Sequence, residues 1–118
     1  MPTITPMFNT AIPDVPRVIW EGAVTGDTIT PFILRQQYGL AASIQVVGTF
    51  GGATVTIQVS NDGTNWVTAQ NMFGAPITLT TSGYAEVTLS AAYIRPNITG
   101  GTEDDLDIIM VLRGSHGV

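Results

Sequence analysis

The chain contains no cysteine and no lysine, and only 11% of its 118 residues are charged. Without cysteine there is no disulfide, no thiol nucleophile and no cysteine metal site. Without lysine there is no Schiff-base chemistry and no P-loop phosphate site. With four arginines and a formal net charge of -5, the chain has little with which to neutralise a phosphate backbone, so we expect no nucleic-acid binding.

Long apolar runs are also lacking. The longest uninterrupted one, residues 108–112, is much shorter than a membrane-spanning helix, and the first ten residues have no secretory-signal pattern. We therefore expect no membrane association. The only histidine, His116, lies close to the C-terminus, where chains commonly fray and a catalytic imidazole would not be held in place. We expect no enzymatic activity, no catalytic residues and no cofactor.

Strand-forming residues are abundant. Thr, Ile and Val make up 40 of the 118 residues, and their branched side chains favour strands over helices. The length suits one domain with a modest core. We predict an all-β fold, an antiparallel β-sandwich or jelly roll of about eight strands, with an extended N-terminal arm.

Alternation of apolar and polar residues places the strands. The clearest strand is 53–60, and the run 42–50 precedes it. Gly51-Gly52 predicts a hairpin that pairs these two runs, and Ser82-Gly83 predicts a second hairpin further on. The remaining predicted strands lie at 18–21, 28–34, 66–70, 77–81, 84–90, 93–98 and 106–113.

Two of these strands have unusual compositions. Pro96 cannot donate to a strand ladder, so the run 93–98 is predicted at a sheet edge or with a bulge. In the last strand, apolar residues occupy both faces, with Ile109 and Val111 opposite the main apolar row. This pattern predicts burial of both faces, either in the middle of a sandwich or against another subunit.

The first sixteen residues contain four prolines, which exclude a helix and a central strand. We divide the chain into an extended arm, residues 1–16, and one sandwich domain, residues 17–118. The arm carries Met7, Phe8 and Ile12, apolar groups that predict a contact, either with the arm's own domain or with a neighbouring subunit.

Two clusters could bind small ligands. The carboxylates of residues 103–107 could hold calcium, but their spacing does not match an EF-hand, and a solvated loop explains them better. In the turn before the strand at 66–70, Trp66 could stack on a sugar ring while Asn61 and Asp62 bind its hydroxyls. The alternative is an indole folded back over the core.

The segment from Val47 to Trp66, with Tyr93-Ile94-Arg95-Pro96-Asn97-Ile98-Thr99-Gly100-Gly101 and a closing strand, resembles small structural proteins of tailed-phage virions. It is most similar to capsid decoration (cement) proteins and related head-fibre modules. The resemblance covers about residues 42–113 and does not include the arm. Discoidin-type sugar-binding domains also have an Asp-Gly-x-x-Trp turn, but they are longer.

The resemblance implies a homo-oligomer, a trimer, made in the bacterial host cytoplasm and bound to the major capsid protein on the outer capsid surface. Met7, Phe8, Ile12, Ile109 and Val111 are then the candidate capsid or inter-subunit contacts. Two alternatives remain: a carbohydrate-binding host-attachment module that uses Asn61, Asp62 and Trp66, and a structural module of the tail or baseplate.

Overall fold

The computed structural model describes residues 3–4, 7–9, 17–34, 41–71, 73–88 and 91–113. All regular structure in these ranges is β-strand. The strands are β1 (Thr3–Ile4), β2 (Met7–Asn9), β3 (Arg17–Ala23), β4 (Thr28–Ile29), β5 (Phe32–Ile33), β6 (Ala41–Thr49), β7 (Thr54–Ser60), β8 (Val67–Thr68), β9 (Thr78–Leu79), β10 (Gly83–Thr88), β11 (Tyr93–Thr99) and β12 (Asp105–Arg113).

Ten of these strands form two antiparallel sheets. Sheet 1 has the order β10-β6-β12-β3-β2, and sheet 2 has the order β5-β11-β7-β8, with β9 also paired to β7. The short strands β1 and β4 form a separate parallel pair. The prediction of an all-β antiparallel sandwich is therefore confirmed.

The core lies between the two sheets and follows the period-two alternation of their strands. In β12 the four residues of the main apolar row, Leu106, Ile108, Met110 and Leu112, are all buried. Trp20 is buried beside them, and its indole N–H donates to the Thr30 carbonyl at 2.9 Å. The other buried apolar residues are Val18, Ala23, Ala42, Ile44, Val46, Ala53, Val55, Ile57, Ala69, Ile77, Val87, Ile94 and Ile98.

Both predicted hairpins are wrong, although the strands beside them are found where expected. Gly51 and Gly52 have φ of 57° and 86°, and Ala53 N–H donates to the Phe50 carbonyl at 2.8 Å, which closes a tight turn. However, β6 and β7 belong to different sheets, because β10 and β12 already occupy the two edges of β6. Likewise β9 pairs with β7, whereas β10 pairs with β6.

Pro96 lies in β11 opposite Ile57 of β7, and its ring is buried. On its other side β11 pairs with β5 only at Tyr93 and Ile94. Among the described strands, the outer edge of β11 is thus open beside Pro96, where the missing N–H costs no ladder hydrogen bond.

Candidate functional site: two surfaces of the sandwich

The outer face of sheet 1, the side that points away from sheet 2, has an apolar middle. Ile109 and Val111 of β12 alternate with the buried core residues and are half-buried rather than fully covered. Ile19 of β3 lies directly beside Ile109 and is also half-buried. Antiparallel sheets that face water ordinarily carry polar residues there, so this apolar band is a candidate contact surface.

Two exposed aromatic side chains extend the band. Tyr84 lies on the edge strand β10 opposite Gln45, which in turn lies beside Ile109, and 66% of Tyr84 is exposed. Phe73 is 89% exposed and shares a cleft of about 260 Å³ with Tyr84. A second cleft of about 240 Å³ joins Tyr84 to Ile109 and Val111. Ser43 and Gln45 also line this second cleft, so the surface between the sheet edge and its centre is partly polar.

Charges on the outer face are separated along the strands. Arg17 lies beside Val111 at one end of the band. Glu21 lies four residues further along β3, at the other end of the band. Asp105 and Asp107 lie at this same end, in β12. Glu21 and Asp105 are both exposed. Asp107 Oδ1 accepts the N–H of Gly22 at 2.9 Å. Glu86 of β10 is exposed on the same face, in the row of Val111 and Arg17. One end of the band is thus acidic, and the other carries both an arginine and a carboxylate.

Two of the three predicted contact residues of the N-terminal arm lie at the edge of the same sheet. Met7 and Phe8 belong to β2 and pair with Ile19 and Val18 of β3. Ile12 lies outside the described residues. The described part of the arm therefore extends sheet 1 of its own chain, and the backbone of Met7 continues the row of Ile19 and Ile109.

The second surface is the turn after β7, where Asp62 organises the backbone. Its Oδ1 accepts the N–H groups of Thr64 and Asn65 at 2.9 and 2.8 Å and the Ser60 hydroxyl at 2.9 Å, while Oδ2 accepts the Asn65 amide at 2.7 Å. These bonds, with that of the Asn65 backbone the strongest, hold the pKa of Asp62 well below its usual range. Asn61 Oδ1 accepts the N–H of Ala92 at 3.2 Å. In this conformation Asn61 and Asp62, which were predicted to bind sugar hydroxyls, instead accept hydrogen bonds from groups of the chain itself.

Trp66 is half-buried and lies outside the core, so the interpretation of an indole folded over the core is wrong. The Arg95 guanidinium lies 4.0 Å above the centroid of the Trp66 ring, a cation–π stack. Arg95 Nε also donates to Gln58 Oε1 at 2.9 Å. Partial burial lowers the pKa of Arg95, which nevertheless stays charged. One face of the candidate sugar platform is therefore already occupied.

The acidic segment 103–107 is not simply a solvated loop. Asp104 is buried, and its Oδ2 accepts both the N–H and the hydroxyl of Thr25 at 2.8 Å. Burial alone would raise the pKa of Asp104, but the bonds from Thr25 and its own N–H outweigh it and lower the pKa. The described residues include no group of three or more His, Asp or Glu side chains placed to hold a metal ion.

Tyr84, Ile19 and Arg95 were not predicted as site residues. A signal for Ile19 exists in the sequence, because in residues 17–21 it alternates with Val18 and Trp20 and must face away from them. Tyr84 could be assigned to the same face only once β10 was known to pair with β6. Arg95 could be assigned to the second surface only once β11 was known to pair with β7, because that pairing places Arg95 beside Gln58.

Comparison of the chain with protein-family models, with curated proteins and with solved structures found no match. Within the described ranges, no helix has the length and apolar character that crossing a membrane requires.

Proposed function

We propose that the chain is a non-enzymatic structural protein of a tailed-phage virion: a capsid decoration protein, made in the bacterial cytoplasm, that binds the major capsid protein on the outside of the head and stabilises it. The observation that carries the proposal is the outer face of sheet 1. Its apolar band, bordered by the exposed Tyr84 and Phe73, suits a protein that acts through surface contact, because clustered exposed apolar residues mark interfaces.

The resemblance of residues 47–66 to decoration and head-fibre modules supports the same proposal. In the fold, this segment comprises the end of β6, the Gly51-Gly52 turn, β7 and the loop that Asp62 organises. The resembling residues thus include a tight crossing between sheets and a well-bonded loop. Both features help to keep a small domain rigid, as a protein that braces a shell requires.

Composition is consistent with this role. A charge content of 11% leaves few ionic contacts, so attachment would depend little on salt. Two regions are available for contacts: the outer face of sheet 1 and the arm, residues 1–16. As a homo-oligomer, for which the resemblance implies three copies, the protein would use one region for its own subunits and the other for the capsid.

Electron microscopy of purified virions tests the placement. We expect density for this chain on the outside of the head, in a fixed ratio to the major capsid protein. Heads that lack the protein should lose DNA at a lower temperature, and added purified protein should restore them. Density confined to the tail would contradict the decoration role and support the tail or baseplate alternative.

A truncation tests the arm. Removal of residues 1–14 should weaken capsid attachment, while circular dichroism reports whether the sandwich still folds without β1 and β2. A matched control is Thr68→Ala on sheet 2, which leaves the arm and the outer face unchanged. Unaltered attachment of a folded truncated protein would exclude a role for the arm.

The carbohydrate alternative predicts a different result. A glycan array and quenching of Trp66 fluorescence should show saturable binding of one sugar if the loop at 61–66 is a lectin site. Saturable binding lost in Trp66→Ala, together with no density on virions, would replace the proposed function by host attachment.

A further inference from the structure

We infer that the outer face of sheet 2, the side that points away from sheet 1, binds the carboxylate of an acidic sugar. Arg95 binds this carboxylate through the two terminal nitrogens of its guanidinium, while Trp66 and Gln58 hold the guanidinium in place. The inference does not depend on the virion assignment. It concerns the face opposite the apolar band, so a chain that contacts a capsid through sheet 1 would still expose this site.

Two contacts fix the position of the Arg95 guanidinium. Its central carbon lies 4.0 Å from the centroid of the Trp66 ring, and its Nε donates to Gln58 Oε1 at 2.9 Å. All three residues are half-buried. A long side chain that is already held in place loses less conformational freedom when a ligand binds, which favours affinity. Trp66 and Gln58 are therefore positioning residues for Arg95.

The two terminal nitrogens of Arg95 donate to no described residue, and no described carboxylate forms an ion pair with them. Partial burial, not a neighbouring charge, lowers the pKa of Arg95. The carboxylate of Asp62, in the loop that leads to Trp66, is engaged by groups of its own loop. Arg95 is thus charged, held in position and without a counter-charge from the described part of the chain.

The chemistry of this group favours a carboxylate over a phosphate. A guanidinium presents parallel N–H groups that match the two oxygens of a carboxylate, and one such pair is neutral. A phosphate carries close to two negative charges, and sheet 2 offers no second cation among its described residues: Arg17 and Arg113 belong to strands of sheet 1, and the chain has no lysine.

Neutral polar side chains lie next to the guanidinium on the same face. In the next row, Asn97 of β11 pairs with Thr56 of β7, and both are half-buried. Thr68 lies beside Gln58 in the row of Arg95 itself. Successive rows on one face are about 7 Å apart along the strand, a distance that a sugar ring with its hydroxyls spans. A sugar whose carboxylate lies on Arg95 therefore has amide and hydroxyl partners within reach.

The neighbours on the other side of Arg95 are Tyr93 and Ile33, which pair with each other on this face. The Tyr93 ring lies against the loop, because a Cβ on Gly63 would be 3.4 Å from it. Ile33, which is 51% exposed, is the one large apolar side chain exposed on the described part of this face. Protein interfaces have a more apolar centre, so hydroxyl and amide groups around a cation favour an acidic sugar over an acidic side chain of a protein.

Titration of the purified full chain with glucuronate and with glucose provides the test, because the two sugars differ in the carboxylate. Trp66 fluorescence reports binding, since the other tryptophan, Trp20, is buried in the core. Saturation-transfer NMR on the sugar protons measures the same affinities independently. We expect saturable binding of glucuronate, about tenfold tighter than that of glucose and weakened by added salt. Glucose 6-phosphate and N-acetylaspartate are titrated in the same way.

Three variants separate the site from the fold. Arg95→Gln should lower the affinity for glucuronate to that for glucose. Gln58→Glu places an internal carboxylate beside the same guanidinium and should weaken glucuronate binding by about tenfold, although Arg95 is retained. Arg17→Gln is the matched control, because it removes the same charge from sheet 1 and should leave the affinity unchanged. Circular dichroism and thermal unfolding should verify that each variant is folded.

Several results would overturn the inference. No saturable binding of glucuronate, equal affinities for glucuronate and glucose, or binding that Arg95→Gln leaves intact would each do so. Tighter binding of glucose 6-phosphate would assign the site to phosphate, and tighter binding of N-acetylaspartate would assign it to acidic side chains of a protein. Density on virion heads without glucuronate binding would preserve the proposed function, whereas glucuronate binding without density on virions would preserve the inference alone.

Discussion

Replacing Asp104 with alanine should lower the free energy of unfolding substantially, because this carboxylate joins two loops at one end of the sandwich. Its Oδ2 accepts two hydrogen bonds from Thr25, in the loop after β3. The Thr25 hydroxyl oxygen in turn accepts the N–H of Gly101 at 2.9 Å. Asp104 is only 8% exposed, so water cannot readily replace it as the acceptor.

The magnitude follows from these bonds. Hydrogen bonds to a charged group contribute about 1.5 to 3 kcal/mol each, and a buried donor left without a partner adds a penalty. Part of the lost free energy of unfolding is recovered, because the Thr25 hydroxyl can rotate after its acceptor is removed. We expect Asp104→Ala to cost about 2 to 4 kcal/mol. Asp104→Asn keeps one oxygen acceptor and should cost about 1 to 2 kcal/mol.

The sign of the pH dependence follows from the lowered pKa of Asp104. An aspartate in the unfolded chain has a pKa of about 3.9. Because the folded value lies below it, the contribution of the carboxylate is complete above the unfolded pKa and is lost as the pH falls through the folded pKa. The difference in stability between the original protein and Asp104→Asn should therefore shrink below about pH 4.

Urea unfolding, followed by circular dichroism between neutral and acidic pH, measures both effects. Asp105→Ala is the matched control, because Asp105 is exposed and its replacement should change stability by less than about 0.5 kcal/mol. The reasoning is refuted if Asp104→Ala is as stable as Asp105→Ala at neutral pH. It is also refuted if the difference between Asp104→Asn and the original protein stays constant as the pH falls.

Three other replacements have defined outcomes. A Cβ on Gly101 would lie 2.7 Å from that of Ala53, so Gly101→Ala should lower stability by about 1 to 3 kcal/mol in urea unfolding; an unchanged midpoint would contradict this packing. Asp62→Ala removes the acceptor for two backbone N–H groups, and their hydrogen exchange should accelerate; unchanged protection would mean that water holds the loop equally well. Arg95→Ala uncovers the Trp66 ring and should increase acrylamide quenching of its fluorescence, whereas equal quenching would exclude the stack.

Strand positions could be predicted from the sequence because alternation is a local property. The run 106–113 shows this best: Leu106, Ile108, Met110 and Leu112 are all buried, as their spacing required. Their neighbours Ile109 and Val111 face the opposite side and are half-buried. The pattern could not decide whether the sandwich or another subunit covers them.

Strand partners could not be predicted, because pairing depends on competition between distant segments. The turn at Gly51-Gly52 has the positive φ angles of a hairpin, yet the strands on either side separate. The edges of β6 are taken by β10 and β12, which lie about 40 and 60 residues further along the chain. The local sequence therefore determines that the chain turns at this point, but it does not determine which strands pair with each other.

Trp66 shows the same limit for a single side chain. An aromatic residue after a tight turn can face either side of a sheet. Only the pairing of β11 with β7 places Arg95 beside Gln58, to which it donates a hydrogen bond, and over the Trp66 ring. Arg95 lies about 30 residues from Trp66 in the sequence. Nothing local to residues 61–66 indicates that a guanidinium would cover the ring.

The charges of the outer face of sheet 1 show how strand register brings residues that are distant in the sequence onto one surface. In the sequence, Arg17 and Glu21 look like two isolated charges, and Asp107 looks like part of an acidic loop. Pairing of β3 with β12 places them at opposite ends of one apolar band centred on Ile19 and Ile109. Pairing of β10 with β6 adds Glu86 to the row of Val111 and Arg17. A carboxylate therefore lies at each end of the band, and only the register of four strands, which local sequence does not determine, brings these charges onto one face.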